Sequence, residues 1–89
     1  MDFSNRLVEL RKNHGLTQKQ LANGLSLSEI GIQNYEGRRR KPAYDVLISL
    51  ADFFNVSLDY LVGRSDNPQR LWKVGGVVAY DFEIVRWYS

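Results

Sequence analysis

The sequence predicts a mainly α-helical domain of five short helices, followed by a short C-terminal β-hairpin or strand appendage. Apolar residues recur at helical spacing as far as about Val62, and the intervening segments carry residues typical of helix starts and ends. From Leu71 onward the chain is rich in valine, isoleucine and aromatic residues and contains a Gly-Gly pair, which favours strands. We therefore expect a helical domain over residues 1–68 and an appendage over residues 69–89.

The first helix is expected to begin at a cap, Asp2 or Ser4, and to run to about Asn13, where His14 and Gly15 end it. Its apolar positions are Phe3, Leu7 and Leu10, and its surrounding polar positions are Arg6, Glu9, Arg11 and Lys12.

The second helix is expected from Gln18 to about Gly24. Thr17 is a suitable N-cap, and Gln20 three residues later completes a capping-box pattern. A short connection then leads to Ser28, the expected cap of the third helix, which ends at Gly37.

The third helix combines two chemistries. Ile32 and Tyr35 fall on one face, whereas polar side chains occupy the other face, and four consecutive cations follow at positions 38–41. Amide and carboxylate groups suit base edges, and clustered cations suit phosphates. The alternative is an ordinary solvated helix with a basic loop.

The fourth helix is expected to begin at or just after Pro42 and to end at Asn55, and Ser57 is expected to cap a short fifth helix closed by Gly63. The apolar residues of both helices are expected to be core: Leu47, Leu50, Ala51 and Phe54, with Tyr44, Ile48 and Phe53 beside them, and Leu58 and Leu61.

The composition gives catalysis little support. The chain has no cysteine, one histidine and a net charge of +2, so we find no credible nucleophile–base pair, metal-ligand spacing or cofactor motif. No small-molecule ligand is evident. The N-terminus has no long apolar run, so we expect neither a signal peptide nor a membrane span, and we expect a cytoplasmic protein that is not an enzyme.

The segment at residues 15–42, GLTQKQLANGLSLSEIGIQNYEGRRRKP, resembles the helix-turn-helix of the Cro/lambda-repressor-like family, also called the XRE family. The resemblance continues to about residue 68 and implies that family's five-helix fold. This sequence departs from the family pattern at Ser26 and Arg38, where the family typically has glycine. Both positions favour a positive φ, which costs a residue other than glycine about 1 kcal/mol.

The resemblance also implies a binding surface for double-stranded DNA. The implied base-contacting residues are Glu29, Ile30, Gln33 and Asn34. The implied phosphate-contacting residues are Thr17, Gln18, Ser28, Arg39 and Arg40. Arg11 and Glu36 stand where members of the family often place an ion pair, which would orient the first helix against the third.

The C-terminal segment lies outside the resemblance. Because an isolated hairpin is marginal in water, it should pair with a second subunit, dock on its own helices, or begin a longer domain. Dimerisation is the interpretation we favour, with a candidate interface at Trp72, Tyr80, Phe82, Ile84 and Trp87.

These observations predict a transcriptional regulator, a prophage-type or bacterial repressor that binds a palindromic operator as a homodimer. The alternative is a protein-interaction module, such as the antitoxin of a toxin–antitoxin pair, in which residues 70–89 bind the partner.

Overall fold

The structure, a computed structural model, describes residues 1–69 and the backbone of two short segments at 72–74 and 77–79. The helices are α1 (Phe3–Asn13), α2 (Gln18–Gly24), α3 (Glu29–Glu36), α4 (Tyr44–Phe54) and α5 (Leu58–Leu61). These bounds confirm the five expected helices.

Side chains close the first turn of four of the helices. The Asp2 carboxylate accepts from the Asn5 amide and caps α1, while Thr17 and Gln20 form the predicted capping box of α2. Ser28 caps α3 and Ser57 caps α5 in the same manner. Each cap satisfies an amide that has no partner within its helix, which explains why the helices begin where the sequence predicts.

Four helices each end in the same type of turn, in which the second residue beyond the helix end has a positive φ. Gly15 and Gly63 occupy this position after α1 and α5, whereas Ser26 (φ 56°) and Arg38 (φ 60°) occupy it after α2 and α3. The amides of Leu27 and Arg39 then donate back to carbonyls five residues earlier, at 2.8 and 2.9 Å. The expectation of positive φ at both departures from the family pattern is confirmed.

The core gathers apolar side chains from all five helices and from the loop residue Val56. Its buried members are Leu7, Leu10, Leu21, Ala22, Ile32, Tyr35, Leu50, Ala51, Phe54, Val56 and Leu61. Helix α3 packs on α2 and α1, while α5 packs on α4 and α1. This arrangement buries one face of α3 and leaves the opposite face in solvent.

Four apolar residues expected in the core lie at the surface instead. Tyr44 is 71% exposed, and Ile48, Phe53 and Leu58 are also exposed. On α4 the positions of Leu50 and Phe54 define the buried direction, and the 100° rotation per residue carries Tyr44 and Ile48 away from it. Apolar character alone therefore wrongly predicted that these exposed residues belong to the core.

Arg6, one of the polar positions around the apolar residues of α1, is only 5% exposed. Its Nε donates to the Tyr60 carbonyl at 3.0 Å, and its guanidinium carbon lies 3.8 Å from the centroid of the Tyr60 ring. Further bonds reach Glu9 and Ser65. Arg6 thereby fastens α1 to α5 and the segment that follows it.

Beyond the helices, the backbone forms strands β1 (Trp72–Val74) and β2 (Val77–Ala79), paired antiparallel with Lys73 opposite Val78. These strands are short, and the larger β appendage over residues 69–89 stays a prediction. Within the described residues, no helix is long and apolar enough to cross a membrane, and no group of three or more potential metal ligands occurs.

Candidate nucleic-acid interface

The outer face of α3 carries the four residues that the sequence predicts to contact bases. Ile30 is 67% exposed and Glu29 is exposed, while Gln33 and Asn34 are partly exposed. Ile32 and Tyr35, on the opposite face, are buried. The four side chains therefore share one accessible surface, which a helix of eight residues presents over about 12 Å.

A hydrogen-bonded ion pair connects α1 to α3. Arg11 binds Glu36 through two bonds, from Nε to Oε2 at 2.6 Å and from Nη2 to Oε1 at 3.0 Å. Both side chains are largely buried, at 13% and 7% exposure. A bidentate geometry of this kind adds geometric specificity to the attraction, and the pair links α1 to α3.

Gln18 joins α2 to the same network. Its Nε2 donates to Glu36 Oε1 at 3.0 Å, while Arg11 Nη1 donates to the Leu16 carbonyl at 2.9 Å. The first three helices are therefore linked through one carboxylate. One amide hydrogen of Gln18 is committed to Glu36, and its second hydrogen and its oxygen are left for other partners.

Thr17 and Ser28, two of the predicted phosphate contacts, are the N-caps of α2 and α3. Thr17 Oγ1 accepts from the Gln20 amide at 3.1 Å, and Ser28 Oγ accepts from the Gly31 amide at 3.0 Å. A capping hydroxyl uses only an acceptor site in this way, so its own O–H can still donate to an anion.

The four cations after α3 divide into different environments. Arg38 forms a bidentate ion pair with Asp2, at 2.9 and 3.1 Å. Arg39 instead bonds to neutral groups at the end of α3. Within residues 1–69 no salt bridge joins Arg39, Arg40 or Lys41 to a carboxylate.

The contact between Asp2 and Arg38 was not predicted from the sequence. The bond from the Asn5 amide, together with the bond and positive charge of Arg38, lowers the pKa of Asp2 below its ordinary 3.8. No sequence pattern pairs residues so far apart. Arg38 has a positive φ in the turn after α3, and its side chain reaches Asp2 at the start of α1.

The candidate dimer interface lies outside the described residues. This applies to the side chain of Trp72 and to Tyr80, Phe82, Ile84 and Trp87 in full.

Comparisons with known proteins agree with this fold. A family model described as helix-turn-helix matches residues 7–61. The HTH-type transcriptional regulator ImmR of Bacillus subtilis is 39% identical over 66 residues, which are 74% of this chain and 52% of that protein. The chain spans only between half and three fifths of the length of the first curated relatives that it matches.

Two solved structures superpose on the chain. The crystal structure of a transcriptional regulator from Listeria innocua has a TM-score of 0.66 and 32% identity, covering 96% of this chain and 70% of that chain. The P22 c2 repressor protein, solved in complex with synthetic operator 9T, has a TM-score of 0.68 over 73% of this chain and 98% of that chain, and at 23% identity it shows the fold alone. The family model and the relatives agree with the Cro/lambda-repressor-like resemblance, and the chain belongs to the helix-turn-helix family.

Proposed function

We propose that this chain is a sequence-specific DNA-binding regulator of transcription that inserts α3 into the major groove. The observation that carries the proposal is the outer face of α3, where polar groups and the 67%-exposed Ile30 stand in solvent while Ile32 is fully buried. A single helix fits a groove about 12 Å wide. Burial of Ile32 and Tyr35 fixes which side chains face outward.

The chemistry of the outer face suits base edges. The Gln33 amide can accept from N6 and donate to N7 of adenine, and the Glu29 carboxylate can accept from N4 of cytosine. The Ile30 side chain can pack on the methyl group of thymine. Asn34 lies on the same face, but its side chain is bonded to Arg39.

The proposed phosphate contacts lie at the N-termini of α2 and α3 and in the segment that follows α3. Thr17 and Ser28 would donate through their hydroxyls, Gln18 through its remaining amide hydrogen, and Arg39 and Arg40 through their guanidinium groups. Phosphate contacts fix the register of a protein on the duplex without reading its sequence.

We further propose that the protein binds as a homodimer, a cytoplasmic repressor at a palindromic operator, with residues 1–68 as the DNA-binding domain and 69–89 as a dimerisation arm. One helix reads about four or five base pairs, too few for useful specificity in a genome, so two half-sites about one helical turn apart are expected. The exposed Tyr44 and Ile48 add apolar surface available for self-association. Neither a catalytic group nor a cofactor is needed for this role.

Selection of bound duplexes from a random pool tests the proposal. We expect a sequence with two symmetric half-sites, since a homodimer presents the same face twice. Unrelated bound sequences would contradict specific recognition, and a single unpaired half-site would contradict the dimer. A half-site bound by a monomer would instead favour the antitoxin alternative, in which residues 70–89 bind a different protein.

Variants then separate the two kinds of contact. Gln33→Ala should weaken binding to the selected duplex while leaving nonspecific binding nearly unchanged. Arg40→Ala should weaken both and reduce the slope of log affinity against log salt by about 1. Arg64→Ala is the matched control, because Arg64 is an exposed cation that follows α5. Unchanged operator affinity in Gln33→Ala would refute its role as a base reader.

A further inference from the structure

The side chain of Arg39 is held against the end of α3 by Asn34. Arg39 Nε donates to Asn34 Oδ1 at 3.0 Å, and Nη2 donates to the Gln33 carbonyl at 3.1 Å. Its positive charge therefore lies at the C-terminus of α3, where the helix dipole favours a cation.

The backbone and a glycine make room for this contact. Because Arg38 has a positive φ, the Arg39 amide returns to the Asn34 carbonyl at 2.9 Å. A Cβ atom at Gly37 would lie only 2.6 Å from Arg39 Nη1 and 2.9 Å from its Cζ. The guanidinium therefore rests directly on Gly37, and any side chain at that position would displace it.

The contact changes what Asn34 can offer to DNA. A bidentate contact with adenine needs the amide oxygen as acceptor and the amide nitrogen as donor, side by side. In Asn34 the oxygen already accepts a charge-assisted hydrogen bond from Arg39, which occupies one of its two lone pairs and turns the amide toward the guanidinium. Among the described residues, no hydrogen bond engages the side-chain amide of Gln33; Arg39 bonds only to its backbone carbonyl.

We propose that Asn34 is a positioning residue, which holds Arg39 ready for a DNA phosphate, and that it does not select a base. The inference rests on the proposed function. Arginine has five N–H donors, of which two are used within the protein, so three remain for a phosphate oxygen. A side chain that is already ordered loses less conformational freedom when it binds.

Fluorescence-anisotropy titrations of the selected duplex and of unrelated DNA, over a range of salt concentrations, test the proposal. Asn34→Ala should weaken binding to both by the same factor, about three- to tenfold, the range expected for freeing one immobilised side chain. Base preference should be unchanged. In an Arg39→Ala background, Asn34→Ala should have no further effect, because its contribution passes through Arg39.

Gly37→Ala is the matched variant, because it displaces the Arg39 guanidinium and leaves Asn34 intact. The φ of −87° at Gly37 suits alanine. It should reproduce the loss seen with Asn34→Ala. Relaxed preference at one base pair in Asn34→Ala, with unrelated DNA bound as before, would overturn the proposal.

A measurement on the free protein separates this inference from the proposed function. Hydrogen exchange at the Arg39 Nε–H, followed by ¹⁵N NMR, should be slower in the wild type than in Asn34→Ala. Equal rates would refute the contact whatever the protein binds. If the contact is present but no duplex DNA binds, the proposed function fails and the role of Asn34 toward phosphate fails with it.

Discussion

Replacing Arg6 by alanine tests whether a buried guanidinium fastens α1 to α5. The Arg6 side chain is 6% exposed, and it donates to the Tyr60 carbonyl at 3.0 Å while lying 3.8 Å from the centroid of the Tyr60 ring. A hydrogen bond from a charged donor contributes about 1.5–3 kcal/mol, and a cation–π contact about 1 kcal/mol. The ion pair with Asp66 adds little, because the Asp66 side chain is fully exposed.

Two effects reduce the loss. The Tyr60 carbonyl also accepts from the Gly63 amide, so it keeps one partner in the variant. Removing Arg6 also removes the cost of desolvating its charge. We therefore expect Arg6→Ala to lower the free energy of unfolding by about 2 kcal/mol, which corresponds to a fall in Tm of about 8–16 °C for a domain of this size.

Thermal unfolding followed by far-UV circular dichroism measures the change. Arg64→Ala is the control, since Arg64 is exposed and an exposed substitution should stay within about 0.5 kcal/mol. If Arg6→Ala were no less stable than Arg64→Ala, the bonds of Arg6 would not contribute net stability, and the reasoning would be wrong.

Three further substitutions test local features. Ser26→Gly should raise the free energy of unfolding by about 0.5 kcal/mol, because relief at φ 56° exceeds the entropy cost of glycine. Ser49→Gly, within α4, should lower it in the same chemical-denaturation assay. The Asn5 amide and Arg38 lower the pKa of Asp2, so its charge should stabilise the fold above about pH 4, with that contribution lost as the pH falls through the lowered pKa. Asp2→Asn keeps a cap without the charge. Its free energy of unfolding should be lower than that of the wild type at pH 7, and the two values should converge in acid. A difference between the two that does not change with pH would contradict this prediction.

The sequence predicts the five helices closely because their ends depend on neighbouring residues. Thr17 with Gln20 and Ser28 with Gly31 are three residues apart, so each cap can be found by reading along the chain. The positive φ at Ser26 and Arg38 follows from their position just beyond a helix end, where a turn of that hand closes the last carbonyls.

The candidate site also has features that the sequence predicts and features that only the structure reveals. The sequence and its family resemblance place Glu29, Ile30, Gln33 and Asn34 on one helix, and helical periodicity puts them on one face. Which of these side chains is free depends on the turn after α3. The contact from Arg39 to Asn34 spans this turn, in which Arg38 has a positive φ, and it is visible in the structure alone.

By itself, therefore, the sequence determined the helix bounds, the family and the outward face of α3. The family resemblance implied the pair of Arg11 with Glu36, which the structure contains. Only the tertiary structure revealed the pairing of Arg6 with a carbonyl 54 residues later and of Asp2 with an arginine 36 residues later. It also decided that Tyr44 and Ile48 face solvent. Caps and turns join residues within a few positions, which a local pattern encodes, whereas burial and ion pairing depend on how distant segments meet, and that is fixed only when the helices pack.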